Sequence, residues 1–436
     1  MKKVVKFGGS SLADAGQFRK VADIIHADDS RVYVVPSAPG KRTPSDIKVT
    51  DLLYECYELA VKGQNFYEPF LAVKDRYNEI ITGLGLNLSL SEAFDAIEEK
   101  LSHEPERDYT ASRGEYLNGL IMSAYLGYEF IDAAEVIFFD ADGNFDEART
   151  YLALSARLEQ SEHAVIPGFY GLGHDGKIRT FSRGGSDITG SIVAGACRAA
   201  VYENWTDVSG LLMADPRIIT SPARIDSITY KELRELAYMG ASVMHEDEIF
   251  PVKSAGIPIN IRNTNCPQDS GTWIVENTAR RSPYTITGIA GRKDFCGVII
   301  AKDLMHSQPD FYRKVAQCFE ENNIPLEHLP SGIDTMTVVV REAAFIAHEQ
   351  DVLRRIVKSV EPESVEVEPG IALIAVVGRS MKSQTGTAAR IFQALADARI
   401  NVRMIDQGAS ELNIIVGVLN EDFERAVKAI YNAFVA

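Results

Sequence analysis

Two short glycine-rich stretches carry residue types suited to holding phosphate. The first is Lys6-Phe7-Gly8-Gly9-Ser10-Ser11. Glycines at a strand end let backbone amides approach a phosphate without Cβ interference, and a lysine beside them supplies a compact positive charge. A plain strand-to-helix turn with a solvated lysine accounts for these residues equally well. The second stretch is Ser182-Arg183-Gly184-Gly185-Ser186-Asp187, at the start of a predicted helix. There Ser186 or Asp187 can cap the helix, Gly184 and Gly185 expose amides, and Arg183 offers a planar fork to a carboxylate or phosphate. An N-cap explains Ser186 and Asp187 but leaves the Arg-Gly-Gly before them without a purpose. Two such loops in one α/β domain favour a nucleotide with an anionic partner.

A third stretch, Trp205-Thr206-Asp207-Val208-Ser209-Gly210 followed by Asp215-Pro216-Arg217, lies at the end of another predicted strand. Ligands of open α/β sheets gather beyond the carboxyl ends of strands. Thr206 and Asp207 have the groups to hydrogen-bond a nucleotide, and Arg217 the charge to balance phosphate; a turn with a surface salt bridge is the alternative. Ser112-Arg113-Gly114-Glu115 reads as a helix start, where Glu115 would be a first-turn carboxylate favoured by the dipole. Gly171-Leu172-Gly173-His174-Asp175-Gly176 fits a GxGxxG pattern, but the residues after it read as a strand. The dinucleotide fingerprint needs a helix there, so a hairpin is expected instead. No GxxxxGK[ST] occurs, and the eight histidines show no paired-ligand spacing. No metal-ligating residues are assigned.

These residues need strands and helices to position them. Lys3–Phe7 reads as a strand, a helix follows from Asp14 with Phe18, Val21, Ile24 and Ile25 on one face, and Arg31–Val35 is a second strand. The chain is mostly helical from Thr50 to Tyr128. Strands return at Glu129–Ala133 and Ala164–Pro167, a helix spans Ile188–Ala199, and a strand leads into Trp205. Strands alternating with helices imply a mainly parallel sheet covered on both faces, a three-layer αβα domain.

The 436 residues suggest two or three domains. A net charge of −16 argues against nonspecific nucleic-acid binding. No apolar run approaches the length of about 18 residues of a membrane span. Five cysteines without a CxxC pair fit reduced thiols, and a cytoplasmic protein is expected. Beyond the linker at Arg280-Arg281-Ser282-Pro283 the chain repeats at an offset of 76, pairing Phe319 with Leu395, Ile324 with Ile400 and Gly332 with Gly408. Each copy reads as a βαββαβ unit with one sheet face needing a neighbour, so the two are expected to pack together.

These motifs together resemble the aspartate kinases of the amino-acid kinase superfamily. The likeness is carried by KFGGSS (6–11), SRGE (112–115), SRGGSD (182–187), WTDVSGLLMADPRII (205–219), ELAYMGASVMHEDEIFPV (235–252), GIPINIRNT (256–264) and QGASELNI (407–414), over essentially the whole chain. The C-terminal repeat is similar to the tandem ACT modules that bind amino acids. The resemblance implies a kinase domain over residues 1–283 and a regulatory region over 284–436. Two ferredoxin-like modules would then span about 298–370 and 371–436, with strand 284–291 able to complete the second. It implies Lys6, Arg183 and Asp187 as catalytic residues, and Thr50, Glu115, Arg183 and Asp187 as the aspartate site. Lys6, Phe7, Gly8, Gly9, Ser10, Gly184, Gly185, Ser186, Thr206, Asp207, Leu212, Asp215 and Arg217 would hold MgATP. The chain departs from the family pattern at Leu212, where many members have Tyr, and at Ser242 and His245-Glu246, where many have Lys and His-Pro.

The implied reaction moves the γ-phosphoryl of ATP to the side-chain carboxylate of L-aspartate. A carboxylate with a pKa near 3.9 is already ionised at pH 7, so positioning and electrostatics carry the catalysis. Mg²⁺ is expected to be held mainly by phosphate oxygens and water. Kinases for other small carboxylates, and an amino-acid-binding regulator with a decayed kinase domain, are the rival readings. An end-product amino acid, lysine before threonine, is expected to bind the first repeat. Met305, Asp310, Phe311 and Tyr312 lie around its helix start, and Glu327, Ile333 and Asp334 near its later strands. A homodimer or higher oligomer through these modules is expected.

Overall fold

Side-chain alternation along the first strand decides which residues meet the site. Strand β1 (Lys3–Phe7) lies between β2 (Arg31–Pro36) and β7 (Val201–Thr206), parallel to both. Val5 and Phe7 point into a core with Phe18, Leu53, Phe70, Tyr77 and Leu117. Lys6, one residue out of phase, points to the other face. The computed structural model describes all residues except Arg183, Ser242, Val243, His245, 279–282, Ala409 and Ala436, and only the backbone of Glu246, Asp247, Lys382 and Ser383.

The described chain divides into two units: Met1–Leu211 with Asp226–Tyr230 and Met244–Ala279, and Leu212–Ile225 with Lys231–Val243 and Arg280–Ala436. The first is built on an eight-stranded sheet that includes β3 (Glu129–Phe130), β4 (Ala164–Val165), β8 (Ser227–Thr229), β9 (Ile259–Asn263) and β10 (Thr272–Val275). The order is β3-β4-β2-β1-β7-β9-β10-β8, and every pairing but β9 with β10 is parallel. Helices α1 (Ala15–His26), α2 (Val49–Val61), α3 (Tyr67–Leu84), α4 (Ser91–His103) and α5 (Arg107–Leu126) share the core of Val5 and Phe7. Asp14 caps α1 by accepting from the Gln17 amide at 2.9 Å. After α6 (Ala133–Val136) and α7 (Glu147–Glu159), helix α8 (Gly185–Ala196) packs on β1, β2 and β7. The GxGxxG stretch joins β5 (Tyr170–Leu172) to β6 (Ile178–Thr180) as an antiparallel hairpin.

The predicted strands at 129–133 and 164–167 shrink to two residues each. Ile131 leads into Asp132, which caps α6 by accepting from the Ala134 amide at 3.0 Å, and Pro167 has no N–H to extend β4.

The second unit holds a five-stranded antiparallel sheet. Its order is β12 (Thr335–Arg341), β11 (Gly288–Ala301), β13 (Ser364–Val377), β15 (Asn413–Leu419) and β14 (Met404–Asp406). The offset of 76 carries β11 onto β13 residue for residue, and both are 14 residues long. They pair along their lengths, so the two copies share one sheet. Helices α11 (Phe311–Glu320) and α13 (Glu349–Val360) close the first copy over Val298, Ile300 and Val338. Helices α14 (Thr387–Asp397) and α15 (Phe423–Val435) belong to the second. The counterpart of β14 in the first copy is reduced to isolated bridges at His328 and Ser331. Pro325 and Pro330 remove ladder donors from that stretch.

Helix α9 (Tyr230–Tyr238) continues directly from β8 and lies almost wholly in the second unit, as does a short helix α12 (Glu342–Ile346). Helix α10 (Glu246–Ser254) packs on α8 in the first. No described helix is long and apolar enough to cross a membrane.

Candidate active site

Lys6 and Asn204 occupy paired positions of β1 and β7, so their side chains share a face. Both reach one atom: Asp187 Oδ1 lies 2.8 Å from Lys6 Nζ and accepts from Asn204 Nδ2 at 2.6 Å. Asp187 sits in the first turn of α8, and the Tyr202 hydroxyl donates to its carbonyl at 3.1 Å. Lys6 is 6% exposed, so its charge is concentrated at this strand end rather than dispersed in water. Sequence reasoning missed Asn204; its place in the register opposite Lys6 was the available signal.

Glycines let the surrounding backbones touch. A Cβ on Gly9 would lie 2.8 Å from the Ala38 carbonyl oxygen, and one on Gly40 would lie 2.6 Å from the Gly9 carbonyl carbon. The Gly40 amide donates to Gly9 O at 2.8 Å. Gly8 donates to Trp205 O at 3.0 Å, tying the loop to β7. Phe7 stacks on Trp205 with ring centroids 6.0 Å apart, so its side chain belongs to the core and only its backbone faces the loop. Ser10 lies in the 3-10 turn Gly9–Leu12, and the neighbouring Ser11 Oγ meets Thr264 Oγ1 at 2.7 Å.

At the second loop, Gly184 holds φ +55° and is itself the N-cap of α8, so Ser186 and Asp187 fall inside the first turn rather than at the cap. Gly185 packs against Phe169, a non-glycine residue at φ 83° whose amide donates to Thr189 Oγ1 at 3.0 Å. Ser186 is buried against Gly168. Arg183 lies outside the described residues, as do Ser242 and His245.

Glu115 is the main correction to the sequence reading. Helix α5 begins at Arg107, so Glu115 is in its interior rather than its first turn. The residue is 5% exposed, and burial pushes its carboxyl up to about 8 despite the Ala38 amide near it and the charges of Arg113 and Lys6. Its Oε2 is buried without a hydrogen-bond partner among the described residues. A buried acid with one oxygen unsatisfied, in the field of Lys6, is suited to receiving a cationic or donor group of a ligand. Thr50, in the first turn of α2, borders Gly114 beside it. The Arg113 guanidinium lies 4.3 Å and 4.6 Å from the ring centroids of Tyr116 and Tyr109 and donates to Ser112 Oγ at 3.0 Å.

Thr206 ends β7 and donates to Asp207 Oδ1 at 3.1 Å. In the second unit Leu212 is 39% exposed and bridges Arg224. Arg217 is exposed and pairs with Asp215 at 2.6 Å, the surface salt bridge that the sequence left open. Among the described residues no cluster of three or more His, Cys, Asp or Glu side chains could cage a metal.

In the regulatory sheet, Met305 and Phe311 are fully buried, whereas Tyr312 and Ile333 are exposed. Asp310 stands at the N-cap position of α11 without capping it and pairs with Lys314 at 2.7 Å. Glu327 is engaged by Arg341 at 3.2 Å and by the Tyr238 hydroxyl at 2.6 Å. Asp334 accepts from the Leu304 amide at 3.1 Å.

A cation at the carboxyl edge of a parallel sheet, between two glycine-packed loops and a buried acid, defines a kinase for a small charged molecule. The amino acid kinase family matches residues 1–263, and the ACT domain matches residues 374–434. Aspartokinase 3 of Bacillus subtilis is 39% identical over 100% of this chain and 99% of its own length. The crystal structure of Clostridium acetobutylicum aspartate kinase is 49% identical, covers 100% of both chains and superposes with a TM-score of 0.90. Escherichia coli aspartokinase III in complex with lysine and aspartate is 25% identical with a TM-score of 0.72, over 100% of both chains. The chain belongs to the amino acid kinase family and, within it, to the aspartate kinases that carry an allosteric ACT region.

Proposed function

We propose that this chain transfers the γ-phosphoryl of MgATP to the side-chain carboxylate of L-aspartate, giving 4-phospho-L-aspartate. The observation that carries this reading is a buried Lys6, held by Asp187 at a glycine-packed strand end, whose charge acts on the buried and half-satisfied Glu115. Lys6 and the amides around Gly9, Ser10, Gly185 and Ser186 would hold the transferring phosphoryl group, and Asp187 with Asn204 fixes the ammonium of Lys6. Glu115 takes the substrate's ammonium group, with Thr50 beside it and Arg183 gripping a substrate carboxylate. The acceptor carboxylate is ionised at neutral pH, so no base is needed; the site brings two anions together and spreads the developing charge. Thr206, Asp207, Leu212, Asp215 and Arg217 are assigned to the nucleotide.

Mg²⁺ is assigned to phosphate oxygens and water rather than to a protein cage. When bound, the ion neutralises phosphate charge. Lysine, or failing that threonine, is assigned to the first regulatory copy around Met305–Tyr312; the Escherichia coli structure with lysine supports the class of effector. Exposed Leu329, Ile333 and Ile405 support a homo-oligomer formed through the regulatory sheet.

Trapping product with hydroxylamine tests the reaction. Aspartyl hydroxamate formed from ATP and aspartate, and not glutamyl hydroxamate from glutamate, is the expected result; another hydroxamate, or none, overturns it.

A further inference from the structure

We propose that Arg76 and Asp46 are positioning residues for phosphoryl transfer, fixing the Ala38–Gly40 backbone that separates the phosphate loop from the Glu115 carboxyl. The inference rests on the roles proposed above for Gly9 and Glu115, and concerns residues that neither loop motif contains.

Residues 37–40 are tied into the site at each step. The Ser37 amide donates to Phe7 O at 3.1 Å, and its carbonyl accepts from Asn118 Nδ2 at 2.7 Å. The Ala38 amide lies near enough to the Glu115 carboxyl to favour its charged form. The Gly40 amide donates to Gly9 O at 2.8 Å, with no room for a side chain on either glycine. A shift of this segment therefore moves the phosphate loop and the buried acid together. Beyond Gly40 the chain is exposed from Lys41 to Ser45, where little packing can hold it.

The outer anchor comes from α3. Arg76 is 5% exposed; its Nη1 donates to Gly40 O at 2.9 Å and its Nη2 to Asp46 Oδ2 at 2.5 Å. Asp46 also accepts from the amide and Nε of Arg42, at 2.9 and 3.0 Å. One guanidinium thus spans both ends of the exposed bend. The next residue, Tyr77, donates to Gly114 O at 2.6 Å, so α3 holds the backbone just before Glu115 as well.

This is a poor arrangement for stability alone. Burying a guanidinium is costly unless all its donors are satisfied, and Arg76 Nε is buried with no partner among the described residues. An apolar side chain of similar length would fill the space more cheaply. What it could not do is grip the Gly40 carbonyl and Asp46 at once, a task that needs a planar fork.

The test uses the full-length chain, with Arg76→Met, Arg76→Lys and Asp46→Asn assayed for aspartyl hydroxamate and followed by thermal unfolding. Arg76→Met is expected to keep its melting temperature within a few degrees while kcat/KM for aspartate falls at least tenfold. The KM for aspartate should rise more than that for ATP. Arg76→Lys should recover only part of the loss, since an ammonium cannot reproduce the fork. Unchanged kinetics in folded Arg76→Met, or a fall in kcat with both KM values untouched, would overturn the proposal. Should Arg76→Met not fold, Asp46→Asn, which keeps the buried cation, decides by the same criteria. A wild-type chain that makes no aspartyl hydroxamate would instead defeat the proposed reaction, whatever the variants do.

Discussion

Glu115 titrates far from its ordinary range because it is buried, and that has two consequences at the residue scale. The folded carboxyl is neutral up to about pH 8, against an ordinary value of 4.5. The unfolded chain releases this proton first, so the stability linked to the neutral form is fully present below about 4.5 and lost as pH rises through 8. Glutamine copies the neutral form. Glu115→Gln should therefore gain in melting temperature relative to wild type from pH 5 to pH 9, while losing aspartate affinity; a gap that does not widen would show the carboxyl is not buried neutral. An arriving ammonium group favours the carboxylate, so aspartate binding at pH 7 should release a proton. Calorimetry in two buffers of different ionisation enthalpy would read it. Lys6→Ala should lower kcat by about 10²-fold or more, the scale of one lost preorganised donor, with circular dichroism unchanged. Arg183→Lys should raise the KM for aspartate above that for ATP, because a point charge cannot grip a carboxylate bidentately. A shift in the ATP KM alone would assign Arg183 to phosphate.

At the scale of elements, what was legible in the sequence depended on whether an element shows a face. Helix α1 has one buried stripe, Phe18, Val21, Ile24 and Ile25, and its start is as expected. Helix α5 buries Thr110 to Glu115 without interruption, so no apolar stripe marks its first turns and its start was placed late. The glycine pair at a strand end located Lys6, and the strand expected after Gly176 rejected the false dinucleotide motif. Neither signal could reveal Arg76, whose partners Gly40 and Asp46 lie 36 and 30 residues away. The same limit applies to α9. Glu232 there is fully buried, accepts from Thr287 Oγ1 at 2.5 Å and from the Arg379 amide at 3.0 Å, and pairs with the Arg379 guanidinium at 3.0 Å. Removing one partner of a buried pair leaves an uncompensated charge, at a typical cost of about 3 kcal/mol. Glu232→Ala should therefore lower the stability of the regulatory unit by that order in urea unfolding, and Glu232→Gln by less. An effect under about 0.5 kcal/mol would mean that water replaces the carboxylate.

For the whole molecule, the division into units matters more than the order of residues along the chain. The second unit draws on Leu212–Ile225 and Lys231–Val243 as well as on the residues after 280. Helix α9 is part of its packing: Leu236 crowds Gly288, Glu235 accepts from Asn413 Nδ2 at 2.5 Å, and Tyr238 donates to Glu327 at 2.6 Å. The same helix follows β8 of the kinase sheet without a break in the chain. Coupling between effector and substrate sites requires a shared element that both can bias, and α9 is placed to be one. A fragment beginning at residue 284 would lack α9, leaving Arg379 and Thr287 without Glu232 and Glu327 without Tyr238. Full-length chain should bind lysine and lose kinase activity on doing so, whereas fragment 284–436 should bind it at least tenfold more weakly. Parallel calorimetric titrations would decide this. Equal affinity for both would remove α9 from the effector response and leave the regulatory sheet self-sufficient.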